Sequence, residues 1–480
     1  MGNGKRIVAT AAILMLILVT PLAGQEKEAL TPLSLALFIE RVRAYGSFQE
    51  ILLQELTLVY DRTLSARTIQ LLLAAGASYS LDLDDPEGSI AGGTLSVSGS
   101  FPETGTTVSA AWETGRGSAL AGGGQTSSLL FRVEQNVLKN AFGSADRLSN
   151  LMAGHEMTLA RYQILESYED YLAQIIMLYL DWYTAYENVT AAEFARRDAS
   201  RLLELTREKQ RYGVAATLDL HKSRLQLLSA EEELLDARTA YQSTRRNVAR
   251  LLGLSADGFE YVPEPVQPPA AALREIEPEQ EAFRSHSRTV KILALLTEIS
   301  GEELALSLDD LLPTATVYAS YSLDGGNIFP STDLSNGVTL GFSLSLPLYD
   351  PKAEATVGKN RVTQERTRLS EQNQRDELTV QLENLSARIT SEQARLSLAD
   401  QKLEAARLIL EEERRRYEQG RVGLDNLLSA QDSFDAIRRA RLKTLTALTG
   451  DYIEWRRVTD SLVNEEAELT EDPLAAPTAP

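Results

Sequence analysis

The stretch "RYEQGRVGLDNLLSAQDSF" spans residues 416–434. It interrupts a helical pattern at Gly420, and the pattern resumes within a few residues. An echo lies upstream at residues 211–230, "RYGVAATLDLHKSRLQLLSA". Glycine just past a helical stretch is a stop signal, because it accepts the left-handed backbone that reverses the chain. A turn that occurs twice, with helix on both sides each time, predicts two helical hairpins in one chain.

The segments entering those turns are long. Leu382, Ile389, Leu396, Leu403, Leu410 and Tyr417 follow one another at intervals of seven, and Leu378, Leu385, Glu392, Ala399, Ala406 and Glu413 form a second column. Two such columns are the seam of helices packed knobs-into-holes. Upstream, Leu165, Leu172, Tyr179 and Tyr186 form one column, and Tyr168, Ile175, Trp182 and Val189 the other. These aromatics keep the heptad, so they read as packing and not as a ligand box. Residues 144–212 and 352–419 contain no proline and one glycine each. At 1.5 Å per residue, each segment makes a helix about 100 Å long.

Each long helix is followed by a return helix of about half its length, 214–252 and 424–460. Two further helical segments, Leu33–Thr68 and Glu279–Leu311, supply the missing half. Each half of the chain then reads as one long helix beside two shorter ones stacked end to end.

Strand patterns lie between the short and long helices. In "GVTLGFSLSLPLYD" (337–350), Val338, Leu340, Phe342, Leu344 and Leu346 share one face, and Thr339, Gly341, Ser343 and Ser345 the other. Apolar residues alternating with small polar ones over about ten positions suit a strand with lipid on one side and water on the other. Strands are expected at about 313–323 and 337–347, and in the first half at 76–84 and 127–137. The first half also carries a surplus hairpin, 92–115, turning at Pro102–Gly105. It is expected beyond the membrane on the outer side, or else as an extension of the barrel strands.

The ends and the middle are different in kind. Lys5 and Arg6 precede the apolar run Ile7–Val19, which suits a secretory signal peptide, residues 1–24, cleaved after Ala23 or Gly24. Residues 255–278 read as a Pro-rich linker and 465–480 as an acidic, Pro/Ala-rich disordered tail. The repeats therefore occupy 25–254 and 279–464. The chain has no cysteine, which excludes disulfides and thiolate metal sites. A net charge of −20 argues against nucleic acid as a partner. His155, His221 and His286 share no ligand spacing, and no phosphate loop or nucleophile motif is present. No enzyme activity, cofactor or metal is expected.

In order and residues, the chain resembles the TolC family of outer-membrane efflux channels. The resemblance rests on "LLLAAGASYS" and "LLPTATVYASY" entering the strands, "VEQNVLKNAFG" and "LSLPLYDPKA" leaving them, the two turns, and "ARLLGL" closing the first half. It implies a mainly α fold with membrane β, built as a homotrimer. Four strands per chain would close one twelve-stranded barrel, continued by a helical barrel across the periplasm. It also implies tips (212–219 and 417–426) that dock a periplasmic adaptor linked to an inner-membrane pump. Gly213, Val214, Ala215 and Leu218 match the first tip; Gly420, Val422, Gly423 and Leu424 match the second. Tyr417 and Asp219 match a tyrosine–carboxylate link that holds the tunnel closed. The family's tip arginine maps onto Val422, with Arg421 beside it. The acidic constriction ring maps onto Asn426 and Ser429, while Asp425 and Asp432 lie nearby on one face. The rival reading is a periplasmic coiled-coil adaptor or scaffold, which accounts for the heptads but not for paired lipid-compatible strands.

Overall fold

A computed structural model describes residues 31–45, 66–80, 90–116, 125–255, 258–269, 287–325 and 335–463, with isolated positions between 50 and 64. The signal peptide and the acidic tail lie outside the described residues.

The duplication is present in the lengths. Helix α2 (Ser144–Arg211) and helix α5 (Pro351–Glu418) each run 68 residues, and the return helices α3 (Thr217–Leu251) and α6 (Leu424–Val458) each run 35. The predicted seams face inward: Leu382, Ile389, Leu396, Leu410 and Tyr417 are buried on α5, and Leu165, Tyr168, Leu172, Ile175, Tyr179 and Trp182 on α2. Helix α4 (Arg288–Asp310) lies along α5 above α6, and α1 (Leu35–Arg43) lies along α2 above α3. No described helix is long and apolar enough to cross a membrane.

Two expectations about the short segments need correction. Leu33 does not start a long helix. Thirteen described residues, 31–43, instead form strand β1 (Thr31–Leu33) and then α1, with the Ser34 hydroxyl accepting from the Leu37 N–H as a helix cap. Nor is 255–278 only a linker. It contains β6 (Tyr261–Pro263), which pairs in parallel with β1, and its Phe259 is buried edge-on against Trp182, ring centroids 5.6 Å apart. Tyr179 ties this corner together, donating to the Leu33 carbonyl at 2.8 Å and accepting from the Glu264 N–H at 3.1 Å. The region that joins the halves is thus part of their shared core.

The sheet is where the expectation fails most usefully. Strands β5 (Gln125–Asn136), β7 (Thr314–Gly325) and β8 (Ser335–Ser345) lie within two residues of the expected bounds, whereas β2 (Gln70–Ser80) begins six residues before the expected 76–84 and ends four before it. The surplus hairpin is β3 (Ile90–Phe101) and β4 (Thr106–Arg116), and it pairs with a strand on each side instead of standing apart from the sheet. It enters the sheet between β2 and β5, giving six antiparallel strands in the order β2-β3-β4-β5-β7-β8. Its turn, 102–105, lies at the helical end of the sheet. Where four strands per chain are expected, the sheet has six among the described residues.

One buried charge cluster joins the second half's two ends to α2. Arg288, at the start of α4, reaches Glu169 at 2.5 Å, and Glu166 and Asp460 at 3.4 Å. Glu169 is fully buried, and its Oε1 also accepts from the Leu462 and Val463 N–H groups. Burial, reinforced by Asp460 and opposed by Arg288, pushes Glu166 up to about 8. Burial likewise pushes Glu169 up to about 7 against the pull of Arg288. The unfolded chain releases both protons near 4.5. Between that pH and about 8 the folded state holds more protons, so its stability falls as pH rises. The thermal midpoint in detergent is expected to drop from pH 5.5 to 8.5, and Glu166→Gln to flatten part of that drop; a rise over the same interval contradicts the assignment. Arg288→Met, which strands the Glu169 carboxylate, is expected to cost about 3–5 kcal/mol at pH 8.

Candidate functional site: the paired hairpin tips

The two tips share one backbone solution. After α2, Gly213 takes φ +74°, and the Val214 N–H reaches back to the Lys209 carbonyl at 2.8 Å. After α5, Gly420 takes φ +70°, and the Arg421 N–H reaches back to Arg416 at 2.9 Å. This is the six-to-one bond that seals a helix end through a left-handed residue. A side chain at either glycine would meet no atom within 4 Å, so the requirement is conformational and not spatial. Gly423 is different: it has φ −78° and open space around it, so nothing within the chain demands a glycine there.

The surfaces of the two tips differ. Val214 and Leu218 are two-thirds and three-fifths exposed on the first tip, and Gly213 and Tyr212 are exposed beside them, with Ala215 half-buried. On the second tip Gly420, Arg421 and Gly423 are exposed and Val422 is half-buried. Leu424, matched to the docking surface, is only 3 % exposed. It packs with Leu202, Leu410, Tyr417 and Leu427 in a small core of its own.

The expected closure of Tyr417 on Asp219 is not what the structure forms. Asp219 turns back to accept from the Ala216 N–H at 3.1 Å, serving its own helix start. Tyr417 is buried, and its hydroxyl lies 3.1 Å from the Thr206 hydroxyl. Lys209 donates to the Tyr417 carbonyl, its ammonium 3.9 Å from the ring centroid. Burial lowers the Lys209 pKa, with Glu418 opposing. Asp425 and Asp432 do share a face, and both point to the other hairpin: Lys222 donates to both Asp425 oxygens at 2.6 and 2.7 Å, and Gln226 to Asp432 at 3.2 Å. Higher up, Arg414 binds Asp198 at 2.5 Å. Asn426 and Ser429 are exposed next to these links.

Four partners, Thr206, Lys209, Lys222 and Gln226, went unmarked in the sequence. Thr206 had a signal: Ala192, Ala199 and Thr206 form a heptad column of small residues, all buried. Lys222 and Gln226, four apart on α3, had none beyond helical spacing. The links are individually weak. Lys222–Asp425 is exposed, and such pairs contribute about 0.2–1 kcal/mol; a neutral hydroxyl pair contributes about 0.5–1.5 kcal/mol. The two hairpins are thus joined at the tip by several weak contacts and no strong one. Among the described residues, the carboxylates Glu166, Glu169 and Asp460 are the grouping able to hold a metal, and Arg288 already engages all three.

The fold is similar to solved outer-membrane proteins. The outer membrane protein VceC of Vibrio cholerae superposes with a TM-score of 0.67 at 14 % identity, covering 88 % of this chain and 95 % of that one. The CmeC outer membrane channel of Campylobacter jejuni gives 0.61 at 12 %, covering 90 % and 84 %. The open-state MtrE outer membrane channel of Neisseria gonorrhoeae gives 0.57 at 14 %, covering 88 % of each. No curated protein sequence matches the chain. The profile of the outer membrane efflux protein family matches residues 146–254 and 285–458, which hold both hairpins and both tips. The chain belongs to the outer membrane efflux protein family.

Proposed function

We propose that the chain is a passive export duct of the outer membrane, working as a homotrimer with its helical body in the periplasm. A periplasmic adaptor and an inner-membrane pump would bring it drugs, other small molecules or proteins, and would supply the energy. One observation carries the reading: a single sheet with one apolar and one polar face is mounted on the end of helices about 100 Å long. Leu71, Leu73, Leu95, Val97, Val108, Phe131, Val133, Val317, Tyr321, Val338, Leu340, Phe342 and Leu344 all point to the same side and are all exposed in the single chain. An apolar face of that extent is unstable in water and suited to lipid. A soluble coiled-coil scaffold has no use for it.

The tips are then the adaptor-binding end. Gly213, Val214, Ala215 and Leu218 offer an apolar knob, and Val422 and the uncrowded Gly423 offer a place for a second hairpin to approach. The links Lys222–Asp425, Gln226–Asp432 and Thr206–Tyr417 would hold the two hairpins of a chain together at rest and yield when the adaptor binds. The fold and family support this reading. The neighbours OprN, CmeC and MtrE are described as outer membrane channels.

The native mass of the protein extracted from an outer-membrane fraction tests the assembly. Three copies resistant to mild dissociation are expected, and a soluble monomer would sink the proposal. Lys222→Met combined with Asp425→Asn is expected to raise channel open probability in a planar bilayer several-fold, with no loss of the trimer. Gly423→Leu meets no atom of its own chain, so it is expected to spare trimer and conductance but abolish export in cells. Unchanged export in Gly423→Leu would remove the second tip from the docking surface.

A further inference from the structure

We infer that residues 90–116 are two extra staves of the membrane wall, so that three copies close an eighteen-stranded barrel in place of a twelve-stranded one. The inference rests on the three-copy reading above.

Strands β3 and β4 are full members of the sheet. β2 pairs with β3 from Gln70↔Ser100 to Ser80↔Ile90, β3 with β4 from Ala91↔Arg116 to Phe101↔Thr106, and β4 with β5 from Thr106↔Gln135 to Arg116↔Gln125. These ladders are as long as the one joining β7 to β8. The faces also run on without a break. Leu95, Val97, Val108, Ala110 and Trp112 fall in register between Leu71 and Leu73 on one flank and Leu129, Phe131 and Val133 on the other. A hairpin standing in water would need neither feature.

The inner end of the hairpin is fastened to the helical body. A Cβ on Gly143 would lie 2.2 Å from the Pro102 carbonyl oxygen, and one on Gly105 2.5 Å from the Gly143 nitrogen. Both glycines have positive φ. Arg147, on the first turn of α2, donates to the Glu103 carbonyl at 2.6 Å, and Gln135 to the Thr104 carbonyl at 2.7 Å. The Asn136 N–H donates to the Gly105 carbonyl at 3.3 Å. So close a seat fixes the turn against the start of α2 and holds both strands in the plane of the wall.

The geometry of closure follows. β2 and β8 are the two outer strands, and they run in opposite directions, so one copy's β8 meets the next copy's β2 as one more antiparallel pair. Six strands fall short of the eight of the smallest membrane barrels, so copies must combine. Strands about 4.8 Å apart and tilted about 40° place twelve staves on a circle about 24 Å across, and eighteen on one about 36 Å across. The added staves also leave the bore clear. Their polar face carries Gly92, Thr94, Ser96, Ser98, Thr107 and Ser109, all small, with Glu113 as a longer side chain on β4, whereas β5 and β7 project Arg132 and Tyr318, stacked 4.0 Å apart. The outer wall would thus pass a folded helical segment as readily as a small molecule, leaving size selection to the tips.

The absence of cysteine allows a clean test. In lipid vesicles, Ser96→Cys and Ser98→Cys are expected to react with a membrane-impermeant maleimide several-fold faster than Leu95→Cys and Val97→Cys. Equal rates at all four positions would place the hairpin in water and overturn the inference. Deleting Ile90–Arg116 leaves residues 81–89 and 117–124 to join β2 to β5, still antiparallel and with Leu71 opposite Val133 on the lipid face. Electron-microscopic top views are expected to show the wild-type barrel about half as wide again as the variant's. Wild-type trimers no wider than trimers of the variant would overturn the extra staves alone; a wild-type dimer would overturn the three-copy reading, and the count of eighteen with it. Should the variant fail to assemble, the cysteine rates still decide.

Discussion

Backbone groups at the edges of a sheet must find partners, and in lipid there is no water to supply them. Here β2 and β8 are the edges of the described sheet, one face carries an apolar belt across all six strands, and six strands are too few to close. The rest of the molecule follows from that constraint. In the three-copy assembly proposed above, the sheet joins to copies of itself, and the copies are held at a common height and tilt. The helical body does the holding, because every strand at its inner end runs into or out of a helix or a turn seated on one. The tight contact of Gly105 with Gly143 and the grip of Arg147 on Glu103 belong to that junction.

At the far end the demand is different. On the proposed reading, two long helices end about 100 Å away because an adaptor meets them there. The fold makes that end repeatable and loosens it on purpose. Identical left-handed glycine turns reverse both hairpins, a small core around Tyr417 and Leu424 keeps them side by side, and exposed polar pairs do the fastening. The strong, buried interactions lie at mid-height instead, in the Arg288–Glu169 cluster and the packing around Trp182 and Phe259. Stability is thus concentrated where the two halves share a core, and it thins toward the tips, which suits the opening proposed for them.

What the sequence revealed depended on period. Helix seams at seven and strand alternation at two are local patterns, so the heptads through Leu382 and Tyr179, the strands around Val338, and both glycine turns were legible with their boundaries close to right. Adjacency between distant segments was not. Nothing local distinguishes a hairpin that stands outside the barrel from one that slots between β2 and β5, since β3 and β4 alternate in the same way in either place. The side-chain links at the tips were hidden for a related reason. The resemblance pairs Asp219 with Tyr417, but an aspartate three residues past the cap residue Ala216 has that residue's backbone N–H within reach and takes it. Tyr417 is then left to the hydroxyl that the seam of small residues delivers, Thr206.

The account rests on the sheet lying in the bilayer with the long helices standing to one side of it. The most direct measurement is an electron cryomicroscopy map of the full-length mature protein in lipid nanodiscs. The account predicts three copies with a closed sheet inside the disc and a single helical column projecting about 100 Å, its Gly213 and Gly420 turns farthest from the lipid. A map with the sheet outside the disc, or with the helices lying along the membrane surface, would contradict it.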